Sequence, residues 1–204
     1  CLVYVGSKTG NEGINGAAMA SNNFANSNIT DELKSNVQKS DPFLEKLLLE
    51  ACCEIAESKL AVGMQDMGAG GLLCASLEIV LRGREKTEMD MGCDIQLDKV
   101  PTKYNMDFCD ILTSESQERM LLVVKRGNEA QVAQILEKWD LAASPIGGVT
   151  GDGTARIYDG TNLVGEVPIS PLVEAPQYRF KAKRPSYLDA VQNIPFPTEP
   201  NAQD

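Results

Sequence analysis

Val62-Gly63-Met64-Gln65-Asp66-Met67-Gly68-Ala69-Gly70-Gly71-Leu72-Leu73 decides the reading of this chain. Val62 to Asp66 suits a short strand. The glycines at 68, 70 and 71 suit a tight turn. Leu72, Leu73, Ser76, Ile79 and Val80 then recur at helical spacing, which predicts a helix ending near Gly83. A strand that enters a helix through glycines lets a backbone or a ligand approach closely. The helix start also presents free N–H groups and a positive dipole end. The spacing is not the G-x-G-x-x-G of a dinucleotide-binding turn. Asp66 adds a constraint, because a carboxylate beside a phosphate is repulsive unless a cation lies between them. The stretch reads either as a phosphate site bridged by Mg²⁺ or as a plain turn in which Asp66 caps the helix.

Outward from this centre, other elements alternate. Leu2-Val3-Tyr4-Val5 reads as a buried strand entering a glycine-rich turn, Gly6 to Gly16. Ala17 to Ser21 suits the start of a closely packed helix, and Asn22 to Thr30 reads as a loop. Asp41-Pro42 opens the clearest helix, running to Leu60, with Leu44, Leu48, Ala51, Cys52 and Ile55 on one face. Arg84 to Asp90 reads as a solvated connector, Cys93 to Leu97 as a strand with one exposed face, and Asp107 to Leu112 is ambiguous. Met120 to Val124 predicts a strand, and Asn128 to Trp139 a capped helix. Ile146–Val149, Ala155–Tyr158 and Leu163–Val167 predict further strands, separated by Asp-Gly turns. Interleaved strands and helices imply an α+β (mixed α/β) fold, a mixed sheet flanked by helices. The domain is expected over residues 1–176. Pro185, Pro195, Pro197 and Pro200 mark residues 177–204 as a linker or arm without regular structure over much of its length.

Composition narrows the function. The 204 residues carry a net charge of −10, so nucleic acid and anionic membranes are not expected partners. No apolar run is long enough to cross a bilayer, and Leu2 to Val5 is too short for a secretory signal. The chain has no His, which excludes Ser-His-Asp and Cys-His catalysis. Its six cysteines form no C-x-x-C pair and read as buried, reduced thiols of a cytoplasmic protein. Chemistry must therefore rest on carboxylates, amides, backbone donors or a metal. Ser114-Glu115-Ser116-Gln117-Glu118, wedged between apolar segments, is either a ligand-reading loop or an ordinary one. Gln38 alone reads as a solvated residue. Cys1 in place of Met suggests a piece of a longer protein.

Taken together, these motifs resemble a known family. Gly6-Ser7-Lys8-Thr9-Gly10, Gly13-Ile14, Gln38 with Asp41-Pro42-Phe43, the Gln65 to Gly71 run, Val100-Pro101 and Ser114-Glu115-Ser116-Gln117-Glu118-Arg119-Met120 occur in the order found in small-type synthetase subunits of phosphoribosylformylglycinamidine synthase. Val167-Pro168 also fits. That family lies in the aminoimidazole ribonucleotide synthetase superfamily, and this chain is similar to its C-terminal type of domain. The resemblance implies ATP-dependent amidination of formylglycinamide ribonucleotide in purine biosynthesis. A glutaminase subunit would supply the ammonia, and a small subunit would bridge the complex. It implies substrate contacts at Gln38, Glu115, Ser116 and Gln117, a Mg²⁺ ligand at Asp66, and a phosphate-proximal turn at Gly68, Gly70 and Gly71. The family's ATP-contacting side chains lie in a preceding domain, so this chain alone is expected to be inactive. Asn15 stands where relatives often carry His, which places any proton-transfer role of that His in doubt. The competing expectations are another ATP-using enzyme of the superfamily, such as thiamine-monophosphate kinase or selenophosphate synthetase, or a non-catalytic interface domain that self-associates.

Overall fold

Leu2, Val3, Tyr4 and Val5 are all buried because their strand has a hydrophobic layer on each side. Side chains alternate along a strand, so a continuous apolar run fits only a strand covered on both faces. In the computed structural model, which describes residues 1–14, 38–173 and 178–195, β1 (Leu2–Gly6) occupies this central position. Leu2 and Tyr4 enter one core, while Val3 and Val5 enter the other.

Six more strands complete the sheet. They are β2 (Ala61–Asp66), β3 (Gly92–Gln96), β4 (Arg119–Val124), β5 (Ala143–Thr150), β6 (Thr154–Asp159) and β7 (Asn162–Pro168). Their order is β2-β4-β1-β5-β3-β6-β7, and every neighbouring pair is antiparallel except β3 with β6. This is the mixed, helix-flanked sheet that the sequence implies.

Helix α1 (Pro42–Ser58) packs Leu48, Ala51 and Ile55 onto one face of the sheet, beside Val132 and Leu136 of α4 (Glu129–Lys138). The Asp41 carboxylate caps α1 by accepting from the N–H groups of Phe43 and Leu44, both at 3.1 Å. On the opposite face, α2 (Gly71–Thr87) and the short α3 (Phe108–Thr113) bury Leu72, Ala75, Ile79, Val80, Ile111 and Leu112. The α1/α4 layer covers β2, β4, β1 and the start of β5, and the sheet becomes one-sided towards β6. Ala155 and Ile157 of β6 are buried, whereas Arg156 on the other face pairs with Asp94, Asp152 and Glu166.

Some expectations change. The second helix does not stop near Gly83. It continues to Thr87, so most of the expected Arg84–Asp90 connector is helix. Gly83 costs helix stability but does not end the helix, and Arg84 and Lys86 suit the negative end of the dipole. The left-handed Glu88 then closes it, with its N–H donating to Arg84 O. Asp107–Leu112 resolves as helix α3, capped by Asp107. Asn128 precedes α4 but makes no side-chain cap. Not all thiols are buried: Cys53 and Cys109 are exposed, and all six cysteines are free. The thiols of Cys52 and Cys93 are pushed up to about 11 and about 12, first by burial.

The chain divides into one unit at Cys1–Glu174 and a second at Ala175–Asp204. Within the first, α5 (Ile169–Val173) includes Pro171 in its first turn. Within the second, α6 (Leu188–Gln192) gives one helical turn to a segment that its prolines had suggested was irregular. The readings at Asn15, at Ala17–Ser21 and at Asn22–Thr30 lie outside the described residues.

Leu122 is fully buried in the α1/α4 core at the centre of the sheet. Leu122→Ala is expected to destabilise the protein by about 2–5 kcal/mol. Urea unfolding followed by Trp139 fluorescence reports the loss, because Trp139 packs against that core. An unchanged midpoint would contradict the two-core description.

Candidate functional site

Three turns meet at one end of the sheet. The first follows β1, the second joins β2 to α2, and the third joins α3 to β4. Glycines make the meeting possible. Gly71 has φ +57°, and a Cβ there would stand 2.2 Å from Ser114 O, so the α2 start rests directly on the backbone of the third turn. Gly6, at φ +104°, leaves equally little room: a Cβ would stand 2.1 Å from Glu118 O. Only a residue without a side chain permits both the conformation and the contact.

Hydrogen bonds complete the junction. Glu115 accepts from Gln38 Nε2 at 2.6 Å and from the Gly70 N–H at 3.2 Å. Its own N–H donates to Glu12 O at 2.9 Å. The Asp41 N–H donates to Glu118 Oε1 at 2.9 Å, which ties the start of α1 to the same loop. Ser116 Oγ accepts from the Gly10 N–H at 2.9 Å and donates to the Glu12 carboxylate. Lys103 also pairs with Glu12. Burial works to raise the Glu12 carboxyl, but hydrogen bonds from Lys103 and Ser116 outweigh it and hold the group below its ordinary value of 4.5.

Beneath the junction lies Arg119, only 2% exposed. Nε donates to Ser116 O at 2.6 Å, Nη2 to Ser114 O at 2.5 Å and Nη1 to Thr9 Oγ1 at 3.2 Å. Burial pulls the guanidinium below its ordinary value, opposed by neighbouring Tyr4, Glu12 and Glu115. Tyr4 donates to Ser7 O and shares a 3.0 Å hydrogen bond with Thr9 Oγ1. Burial drives the Tyr4 phenol up, so it stays neutral beside the cation.

A cleft of about 550 Å³ opens beside these turns. It runs between α1 and the β2–β4 edge, and its lining includes Leu49, Cys52 and Met64 with Asp66, Gly68 and Gln117 at the turn end. Asp66 is exposed at the end of β2, opposite Met120 in the antiparallel register. One of its oxygens accepts from Gln65 Nε2 at 3.1 Å, and the same amide donates to Glu78 at 2.9 Å. Cys74 records the local field: burial first, then the charges of Glu78 and Glu115, push its thiol above its ordinary value. An anionic ligand entering here meets carboxylates, so it needs a cation.

The structure therefore gathers the residues singled out in the sequence, with different degrees of freedom. Gln38 and Glu115 are joined directly, Glu115 reaches Gly70, and Asp66, Gly68 and Gln117 line one cleft. Ser116 is 1% exposed and is engaged throughout within the protein: its hydroxyl bonds Gly10 and Glu12, its N–H donates to Ser114 Oγ, and its carbonyl accepts from Arg119. The Gly70 and Gly71 N–H groups already donate, to Glu115 and to Gly68 O respectively. Sequence reasoning passed over Glu12, Thr9, Lys103 and the burial of Arg119. One signal was available: an arginine opening the otherwise apolar run Arg119-Met120-Leu121-Leu122-Val123-Val124 has no solvent to face.

The fold is that of a known family. The AIR synthase related protein, C-terminal domain, matches residues 1–160, and the chain belongs to it. The phosphoribosylformylglycinamidine synthase subunit PurL of Campylobacter curvus is 46% identical over 200 residues, covering 97% of this chain and 26% of that protein. The chain thus spans about a quarter of the length of the curated relatives it matches. Thermotoga maritima PurL complexed with FGAR is 36% identical, with a TM-score of 0.78 over 90% of this chain and 29% of the other. Structures of the same protein complexed with ATP, and of T. maritima PurLQS, match at a TM-score of 0.72 and 32% identity, again over 90% of this chain and 27% of the other. Escherichia coli HypE, a hydrogenase maturation protein, shares the fold at 16% identity and a TM-score of 0.52, over 78% of this chain and 46% of its own.

Two measurements test the junction. Gly71→Ala and Gly127→Ala both place a side chain at positive φ, but nothing lies within 4 Å of a Cβ at Gly127. Gly127→Ala is expected to cost about 1 kcal/mol and Gly71→Ala at least about twice that. Equal costs would remove the Ser114 contact as a constraint. The second measurement follows from the lowered Glu12 carboxyl. A depressed value stabilises the folded state above the ordinary 4.5, and the gain disappears as pH falls through the folded value. The urea midpoints of wild type and Glu12→Gln should differ at neutral pH and converge in acid. A gap independent of pH would refute the assignment.

Proposed function

We propose that this chain is the substrate-side domain of a phosphoribosylformylglycinamidine synthase synthetase subunit. The intact protein converts the amide of formylglycinamide ribonucleotide to an amidine, using ATP and glutamine-derived ammonia. The observation that carries this reading is the meeting of the Gln38–Glu115–Gly70 cluster with the turn end of the cleft that holds Asp66 and Gln117. The likeness to T. maritima PurL, solved with FGAR and with ATP, supports the substrate class. The PurLQS structure supports assembly with partner subunits, which we take to be a glutaminase and a small bridging protein.

The side chains suit these roles. Gln38 presents an amide that donates and accepts, and Glu115 holds that amide in place while resting on the α2 start. Gln117 is oriented by donating from Nε2 to Glu115 O at 3.0 Å, which leaves its oxygen for a ligand donor. No group of three His, Cys, Asp or Glu side chains that could hold a metal occurs among the described residues. Mg²⁺ commonly uses one or two carboxylates and completes its shell with water and substrate phosphate, so exposed Asp66 fits as a single protein ligand. Bound there, Mg²⁺ would neutralise phosphate charge in this acidic site. The free cysteines suit a reducing compartment such as the cytoplasm. No helix among the described residues is long and apolar enough to cross a membrane.

The intact protein should release ADP only when formylglycinamide ribonucleotide, ammonia and Mg²⁺ are present. Asp66→Asn is expected to lower kcat/KM by about 100-fold or more, with a partial return at high Mg²⁺. Gln38→Ala is expected to raise the KM for the ribonucleotide by about 10-fold. ADP release that ignores the ribonucleotide, or full activity in Asp66→Asn, would overturn the proposal.

A further inference from the structure

The third turn alternates. Ser114 and Ser116 are buried, while Glu115 and Gln117 are half-buried and reach the site. Its carbonyls alternate as well. Those of Ser114 and Ser116 accept from Arg119, and that of Glu115 instead accepts from Gln117 Nε2. A short loop has no ladder to impose such an order. Here the rigid fork of one guanidinium engages two carbonyls at once and holds their peptide planes. The third arm, on Thr9 Oγ1, ties in the turn after β1, which also delivers the Gly10 N–H to Ser116.

We propose that Arg119 is a positioning residue for substrate recognition: its buried guanidinium sets the peptide orientation of the Ser114–Gln117 turn and so aims Glu115 and Gln117 at the ligand. The choice of side chain argues for this. An apolar residue would fill a buried strand position without the cost of desolvating a charge. Lysine would keep the charge as a single point, without a planar fork to span two carbonyls and a hydroxyl. The neighbouring carboxylates do not explain the arginine either, because its donors go to Ser114 O, Ser116 O and Thr9 Oγ1. The cation thus stabilises one loop conformation rather than an ion pair. Glu115 and Gln117 are read here as contacts of the ribonucleotide, so the loss should fall first on that ligand.

The inference rests on the substrate reading above, and the experiment separates the two. Calorimetry on the intact protein would measure Kd for formylglycinamide ribonucleotide and for ATP in wild type and Arg119→Lys, with thermal unfolding as the check on folding. Arg119→Lys should weaken the ribonucleotide by about 10-fold or more and change ATP by less than about 3-fold. A parallel loss for both ligands, or no loss for either, overturns the positioning role. Where Arg119→Lys does not fold, Thr9→Val decides, because it removes one arm and keeps the guanidinium. A selective loss of about 3-fold or more for the ribonucleotide supports the proposal, and unchanged affinity overturns it. Wild-type protein that fails to bind the ribonucleotide removes the substrate assignment, and this proposal with it. Wild-type binding matched by Arg119→Lys removes only the role of Arg119.

Discussion

A positive charge almost without access to water lies where β4 begins, and the turns around it face it with oxygen. Arg119 meets Ser114 O, Ser116 O and Thr9 Oγ1, and its own carbonyl accepts from the Met67 N–H at 3.1 Å. A buried guanidinium is tolerable only when its donors are satisfied. That requirement links the turn after β1 to the turn before β4, and the backbone carbonyl of the same residue adds the turn after β2. The cleft that they border inherits its shape from this linkage, since Gly68, Gln117 and Arg119 all contribute to its wall.

The sheet supplies the rigidity that such a junction needs. β1 and β4 are buried on both faces, so neither can slip in register without moving apolar side chains out of two cores. Their register pairs Gly6 with Arg119, which puts a glycine at the point of closest approach to Glu118. The two layers then divide their work. Helix α1 of the first layer forms the apolar side of the cleft, and α2 brings its N-terminal turn against Ser114.

The electrostatics of the site follow from this crowding. Glu12, Asp66, Glu78, Glu115 and Glu118 all belong to the three turns or their immediate supports, in a chain already at −10. Lys103 is committed to Glu12 and Arg119 is enclosed. A cation brought by a phosphate-bearing ligand would offset this charge, which is the physical basis for the proposal that Asp66 binds a metal.

Local pattern determined much of this protein. Periodicity and capping placed α1 and most strands, and Asp66 before a run of glycines marked where a ligand could approach. The Ser114–Gln117 stretch stood out because it is polar between apolar neighbours. These signals are legible in sequence because they depend on residues a few positions apart. The continuation of α2 past Gly83 was not, because a helix end is set by competition between a weak breaker and favourable capping further on. The partners of Arg119 and the enclosure of Ser116 were not legible either. Both depend on contacts across the sheet, such as Arg119 with Thr9 and Ser116 with Gly10, more than a hundred positions apart. Burial of a polar group is a property of what folds over it, and only the tertiary structure decides that.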